Sequence, residues 1–162
     1  MKKIAVSCVL VAFAAGFAGT AAAADEAARA QDRAQIEALM WRYVRALDSF
    51  DADAYAAAFT EEGQFGVGAN ATKGRGALKE MVAGLARNRT DESPPMYHVI
   101  ANSHIEFVDE DNALFHSYWM TVFGAAGQGS APRVAAAGRG VDELVRVDGE
   151  WLIKSRNVAP QD

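Results

Sequence analysis

One carboxylate and two imidazoles, Asp48, His98 and His116, stand in segments whose other residues are typical of packed elements. A carboxylate that accepts a hydrogen bond from one imidazole nitrogen orients the ring, and the other nitrogen can then exchange protons near neutral pH. The trio therefore favours an enzyme that moves protons. Structural roles stay open beside this one: a turn cap for Asp48, an exposed or internally bonded ring for His98, and a structural hydrogen bond for His116.

The same three side chains also form the donor set of a metal site with two histidines and one carboxylate. No pair of histidines lies four residues apart on a helix, and no second acidic ligand accompanies them. We therefore expect neither a metal nor another cofactor.

The elements that must position these residues begin with helices. An apolar spacing predicts an amphipathic helix over residues 32–47, which ends just before Asp48. Either Ser49 or Asp51 can cap a second helix over residues 52–59. A short strand is predicted over residues 64–67, and a third helix carries the stripe formed by Leu78, Met81, Val82 and Leu85.

Extended runs fill the second half of the chain. Strands are predicted over residues 96–108, 113–123, 133–147 and 150–158, with hairpin turns at 109–112 and 147–150 and a glycine- and alanine-rich loop at 124–132. Helices followed by strands indicate an α+β domain, in which the helices cover one face of a curved antiparallel sheet.

The first 24 residues have a different character. Lys2 and Lys3 precede an apolar run over residues 4–17, and three alanines precede Asp25, which is the pattern of a secretory signal peptide. We expect export, most simply to a bacterial periplasm, and one domain over residues 25–162. Without these 24 residues, which contain two lysines and the single cysteine, Cys8, the chain has 14 basic and 21 acidic residues. Its acidity argues against nucleic acid or a membrane as partners.

Several short motifs together resemble the SnoaL-like branch of the nuclear transport factor 2 (NTF2)-like superfamily. They are Tyr43-x4-Asp48, Lys73-Gly74-Arg75, His98-x3-Asn102 and Asp148-Gly149-x-Trp151-x-Ile153-x2-Arg156. The resemblance implies a cone-shaped barrel, in which a strongly bent sheet wraps around three or four helices and encloses an apolar pocket. It also implies pairing of subunits through the sheet, so we expect a homodimer, with a trimer as the alternative.

Around the chemistry, the chain is similar to scytalone dehydratase-like lyases, whose relatives include bile acid dehydratases and a hexachlorocyclohexane dehydrochlorinase. This similarity implies a catalytic dyad of Asp48 and His98, a second pocket histidine at His116, a catalytic tyrosine at Tyr43 and a pocket arginine at Arg156. The chain departs from the scytalone dehydratase pattern at Gly138 and Gly140, where that pattern has serine and asparagine. The departure argues against the same substrate.

Aromatic and long apolar residues supply the expected pocket walls, although plain core packing is the alternative for each of them and for Tyr43. They are Trp41, Tyr55, Phe65, Trp119 and Met120. Arg156 has the opposite strand parity from Trp151 and Ile153, so it reaches the pocket only if those two residues do not or if a bulge shifts the register. A surface position is the alternative for Arg156. The sequence predicts a cofactor-independent lyase or isomerase that acts on a small cyclic apolar substrate. The rival hypothesis is a non-catalytic periplasmic module for ligand binding or assembly.

Overall fold

The computed structural model describes residues 15–125, 127 and 129–160, so most of the predicted signal segment lies outside the described residues. The chain divides into two compact units, Met1–Ala34 and Gln35–Asp162. The described part of the first unit is helical, and Arg29 forms an ion pair of 3.6 Å with Asp32 one turn along. No helix in the described residues has the length and apolar character needed to cross a membrane.

The second unit contains the end of helix α1 (Ala15–Asp48), two further helices and a six-stranded sheet. The helices are α2 (Ala52–Ala57) and α3 (Arg75–Arg87), and the strands are β1 (Phe59–Phe65), β2 (Thr72–Lys73), β3 (Met96–Phe107), β4 (Asn112–Phe123), β5 (Arg133–Val147) and β6 (Glu150–Asn157). The strand order is β2-β1-β6-β5-β4-β3, and only the β1–β6 pair is parallel. The predicted α+β class is confirmed.

The second helix is shorter, and the first strand longer, than the sequence predicts. Helix α2 ends at Ala57, because Phe59 already pairs with Ile153 as the first residue of β1. Asp51 caps α2 by accepting a hydrogen bond of 3.0 Å from the Ala54 amide. Ser49 instead donates to the Arg45 carbonyl at 2.8 Å, which closes the end of α1.

The core lies between the helices and the inner face of the sheet. Apolar residues of α1 at helical spacing pack there against strand residues, as amphipathic patterning requires. Three rings, those of Tyr43, Tyr55 and Phe59, stack with centroids 5.2 to 6.0 Å apart. Burial of each such side chain contributes roughly 1.5–3 kcal/mol to stability. The core therefore fixes the end of α1 against the sheet.

Bulges change which residues face this core, and two of them lie in β3 and β6. In β3 the pairing with β4 shifts between Ala101 and His104, and Asn102 takes a left-handed conformation with φ of 48°. In β6 the pairing with β5 passes from Ser155 directly to Ile153, so Lys154 is the extra residue. Each extra residue reverses the alternation of side chains beyond it.

Candidate functional site

Asp48 and His98 are joined by two hydrogen-bonding contacts. The Asp48 Oδ1 atom lies 2.7 Å from the His98 ring Nδ1 and 3.0 Å from the His98 backbone nitrogen. The carboxylate is 8% exposed and the imidazole 21% exposed. The carboxylate therefore holds both the backbone and the ring of the histidine, which fixes the orientation of the imidazole.

The position of Asp48 follows from the ends of two elements. It is the last residue of α1, where a carboxylate opposes the helix dipole at a cost of about 0.3–1 kcal/mol. β3 is an edge strand, so its outward amides have no strand partner, and Asp48 satisfies one of them at His98. These hydrogen bonds offset the dipole cost and place the carboxylate beside the ring.

The contact with Asp48 also fixes the roles of the two ring nitrogens. A carboxylate only accepts hydrogen bonds, so Nδ1 must carry the hydrogen when the ring is neutral. The other nitrogen, Nε2, then has a free lone pair, and no described residue hydrogen-bonds to it. His98 also lines a cavity of about 330 Å³, which makes it a base available to a ligand there.

The walls of this cavity are mainly apolar and come from both helices and sheet. Four residues expected from the sequence, Tyr43, Tyr55, Phe65 and Trp119, line it together with His98 and Arg156. Further walls that the sequence analysis did not assign to the pocket are Val44, Leu47, Met81, Leu85, Met96, Ile100, Thr121, Ala136 and Val158. Such a lining suits a cyclic apolar ligand with a small number of polar groups.

Arg156 reaches the cavity because the bulge at Lys154 reverses its parity. Its guanidinium donates to the Asp142 carboxylate, and both side chains are almost fully buried. It also stacks 4.5 Å above the centre of the Tyr43 ring. Burial raises the pKa of Asp142 to about 6, although Arg156 opposes this shift. Arg156 therefore lines the cavity with its guanidinium held by a buried carboxyl partner.

Tyr55 brings an unsatisfied polar atom to the same region. Its side chain is fully buried, and its hydroxyl has no hydrogen-bond partner in bonding geometry. Burial, with a smaller contribution from the neighbouring Tyr43, raises the pKa of Tyr55 well above its ordinary value. The hydroxyl therefore stays protonated and can donate a hydrogen bond to a ligand. A buried donor without a partner costs about 1–3 kcal/mol, and a ligand oxygen would relieve that cost.

His116 does not belong to this cavity, so its expected place in the pocket is wrong. On β4 the odd-numbered residues face inward, as the burial of Phe115 and Ser117 shows, whereas Tyr118 is 57% exposed on the other face. His116 shares that outer face, where its Nε2 lies 3.4 Å from Glu106 and its ring is 6.0 Å from that of His104. The metal triad with Asp48 and His98 is therefore not assembled, and no cluster of three potential metal ligands occurs within the described residues.

Trp41 and Met120 likewise do not line this cavity. Trp41 is 66% exposed, because it lies on the side of α1 opposite the buried stripe that includes Leu39 and Tyr43. Met120 is exposed beside Tyr118 on the outer face of β4. Trp41 and Met120 were predicted as pocket walls from their residue types alone. Residue type does not tell which side of a helix or strand faces the cavity.

Gly138 explains how Trp119 fits into the cavity wall. A Cβ atom at this glycine would lie 2.8 to 3.1 Å from three indole atoms of Trp119. The indole Nε1 donates to the carbonyls of Val158 at 3.0 Å and Arg139 at 3.2 Å, so the ring is held in place. The glycine therefore makes room for the tryptophan where the scytalone dehydratase pattern has a polar side chain.

We expect Gly138→Ala to lower the free energy of unfolding by about 1–3 kcal/mol, because the added methyl overlaps a fixed ring. Chemical denaturation monitored by circular dichroism measures this change. Gly76→Ala is the matched control: its Cβ would meet nothing within 4 Å on α3, and it should stabilise the fold by about 0.4–1 kcal/mol. Equal effects of the two substitutions would contradict the assigned contact.

A dyad in the apolar cavity of a curved α+β sheet is the arrangement that the SnoaL-like resemblance implies. The SnoaL-like domain family matches residues 28–157, so the chain belongs to this family. No curated protein matches the chain significantly.

Solved structures with the same fold agree with this assignment. Rv3472 from Mycobacterium tuberculosis, a protein of unknown function, is 26% identical, with a TM-score of 0.71 over 85% of this chain and 75% of that one. A provisionally assigned scytalone dehydratase from Novosphingobium aromaticivorans is 25% identical, with a TM-score of 0.67 over 82% and 85%. An NTF2-like protein with a cystatin-like fold from the same species is 22% identical, with a TM-score of 0.72 over 86% and 88%, and it supports the fold alone.

Proposed function

We propose that this chain is a cofactor-independent lyase or isomerase in which His98 removes a proton from carbon and Asp48 orients the ring. The observation that carries the proposal is the 2.7 Å contact between Asp48 Oδ1 and His98 Nδ1 at the wall of an apolar cavity. The likeness to a provisionally assigned scytalone dehydratase supports the same reaction class.

In the first step, the lone pair on His98 Nε2 takes a proton from the carbon next to a carbonyl group. The electrons of the broken C–H bond form a carbon–carbon double bond, and the carbonyl oxygen becomes an enolate oxygen. The imidazole becomes an imidazolium, whose positive charge is stabilised by the carboxylate of Asp48. General base assistance of this kind contributes roughly 10²- to 10⁴-fold to the rate.

The enolate oxygen needs hydrogen-bond donors, and the cavity supplies them. Among the described residues the Tyr55 hydroxyl has no partner in bonding geometry, and Tyr43 lies beside it with its ring against the Arg156 guanidinium. A donor already in place is worth more in a cavity of low polarity than in water. We assign the oxyanion to Tyr55 and Tyr43, with the Arg156 guanidinium ordering the Tyr43 ring.

The second step distinguishes the two reaction classes. In an elimination, the enolate electrons expel a hydroxyl from the β-carbon, and the imidazolium proton of His98 leaves with it as water. In an isomerisation, His98 returns the same proton to another carbon of the substrate. Both outcomes begin with the same proton abstraction, so that first step is the one to test.

Proton abstraction can be tested without knowing the natural substrate. 2-Tetralone is a two-ring ketone with activated C–H bonds next to its carbonyl, and exchange of those protons in D₂O is read directly by proton NMR. We expect the protein to accelerate exchange above the buffer rate. Binding of 2-tetralone with no acceleration would contradict the enzyme and favour the module that only binds ligands.

Export and self-association are also part of the proposal. The signal segment at residues 1–24 supports export to a periplasm. The outer face of the sheet exposes Tyr97, Val99, Tyr118 and Met120, and this apolar surface supports pairing of two copies through the sheet. We propose a homodimer, and light scattering on the purified protein measures its mass.

A further inference from the structure

A second hollow, of about 380 Å³, adjoins the apolar cavity. Leu85 and Met96 line both spaces, so these two side chains lie between them. Two arginines, Arg89 and Arg133, also line the second hollow. The two guanidinium groups therefore lie next to the apolar cavity, on the other side of Leu85 and Met96.

Arg89 is held in place by neutral partners. Its Nη2 atom donates to the backbone carbonyls of Ser93 and Pro94, and its guanidinium stacks 4.7 Å above the Phe50 ring. These contacts order the side chain and leave its charge uncompensated. The acids of the same turn, Asp91 and Glu92, form no ion pair with it in the part of the chain that the structure describes.

Arg133 has a similar environment at the start of β5. Its guanidinium lies 4.8 Å above the centre of the Phe123 ring, on the neighbouring strand. Across the described ranges, no carboxylate lies within 4 Å of either Arg89 or Arg133. Arg87, in contrast, is paired with Glu80. Two guanidiniums without an acidic partner in the described residues therefore line one hollow, in a chain with a net charge of −5.

We propose that the ligand of this protein carries a carboxylate, which binds to Arg89 and Arg133 while its apolar ring system fills the adjoining cavity. The planar guanidinium matches a carboxylate with paired hydrogen bonds, and stacking on a ring leaves the edge of the group free for them. This inference rests on the proposed function in one respect: both place the ligand in the same apolar cavity. It narrows the substrate class to cyclic apolar acids.

The test uses two probes with one ring system and different charge, 1-naphthaleneacetate and its neutral amide. We expect calorimetry at low ionic strength to show the carboxylate binding about tenfold tighter than the amide, as charge-assisted hydrogen bonds predict. Arg133→Gln should remove most of that preference, and Arg133→Lys should keep part of it. Arg133 is the better first target because Arg89 also holds the backbone of its turn.

Arg87→Gln is the matched control, because Arg87 is a surface arginine paired with Glu80 and does not line the hollow. It should leave the preference unchanged. Equal binding of the two probes, failure of both to bind, or a preference that survives in Arg89→Gln/Arg133→Gln would overturn the inference. His98→Ala should retain the preference for the carboxylate. If the protein prefers the carboxylate but does not abstract a proton, only the proposed reaction fails. If it abstracts a proton but does not prefer the carboxylate, only the proposed carboxylate site fails.

Discussion

His98→Ala should lower the rate of proton exchange into 2-tetralone by about 10²- to 10⁴-fold, because it removes the only ring nitrogen placed as a base in the described part of the cavity. The side chain is partly exposed and lies outside the main core, so folding should be retained. Exchange rates at several concentrations of 2-tetralone, followed by proton NMR, measure the loss. We expect it in kcat rather than in KM.

Asp48→Asn keeps the shape of the carboxylate and removes its charge. We expect a loss smaller than in His98→Ala but still substantial, because the ring remains while the neutral amide no longer keeps the hydrogen on Nδ1 or stabilises the imidazolium. His104→Ala is the control: this histidine is exposed on the outer face of the sheet, beside His116, and its loss should leave the rate unchanged. Full activity in His98→Ala would contradict the proposed reaction.

Arg156→Ala should lower the free energy of unfolding by about 3–5 kcal/mol, because it leaves the Asp142 carboxylate buried without its charged partner. Asp142→Ala should have a similar effect, since it leaves the guanidinium unpaired. Chemical denaturation with extrapolation to water measures both. A double variant with well-packed apolar residues at the two positions should recover most of the loss.

A second ion pair on the same two strands provides the control. Glu143 and Lys154 lie 3.0 Å apart but are both more than half exposed. Water screens such a pair, so Lys154→Ala should change stability by no more than about 1 kcal/mol. A loss at Arg156 no larger than the loss at Lys154 would show that the buried pair does not hold β5 and β6 together.

Much of the fold follows from local patterns. The bounds of β5 are those predicted, and α3, β3, β4 and β6 lie where apolar periodicity places them. Helix α1 ends close to the predicted position but begins at Ala15, well before the predicted start at residue 32. The end of α2 was predicted two residues too late, because the parallel pairing of Phe59 with Ile153 is a contact that local sequence does not encode.

The candidate site was harder to predict, because its members depend on bulges and on the face of the sheet. In a regular strand, Arg156 and Ile153 would point to opposite faces of the sheet. The bulge at Lys154 places both on the inner face. His98 and His104 have the same parity but lie on opposite faces, because an extra residue near Asn102 intervenes. Asp142 was missed, although it is a charged residue with the same strand parity as Gly140 and Leu144 and is fully buried.

The outer face of the sheet explains the error at His116. That face carries Tyr118 and Met120, so its residue types resemble those of a buried layer. Periodicity correctly groups His116 with these residues but does not tell which of the two apolar faces meets the helices. Only the packing of α1 against the odd-numbered residues of β4 decides this.

The positions of the hydrogens on the His98 ring test the dyad most directly. Long-range ¹H–¹⁵N NMR correlations distinguish the two nitrogens, with His104 and His116 as internal references. At a pH where the rings are neutral, we expect His98 to carry its hydrogen on Nδ1 and a free lone pair on Nε2, and we expect Asp48→Ala to lose that preference. A hydrogen on Nε2 in the wild-type protein would contradict the proposal, because the nitrogen offered to the ligand would then be unable to accept a proton.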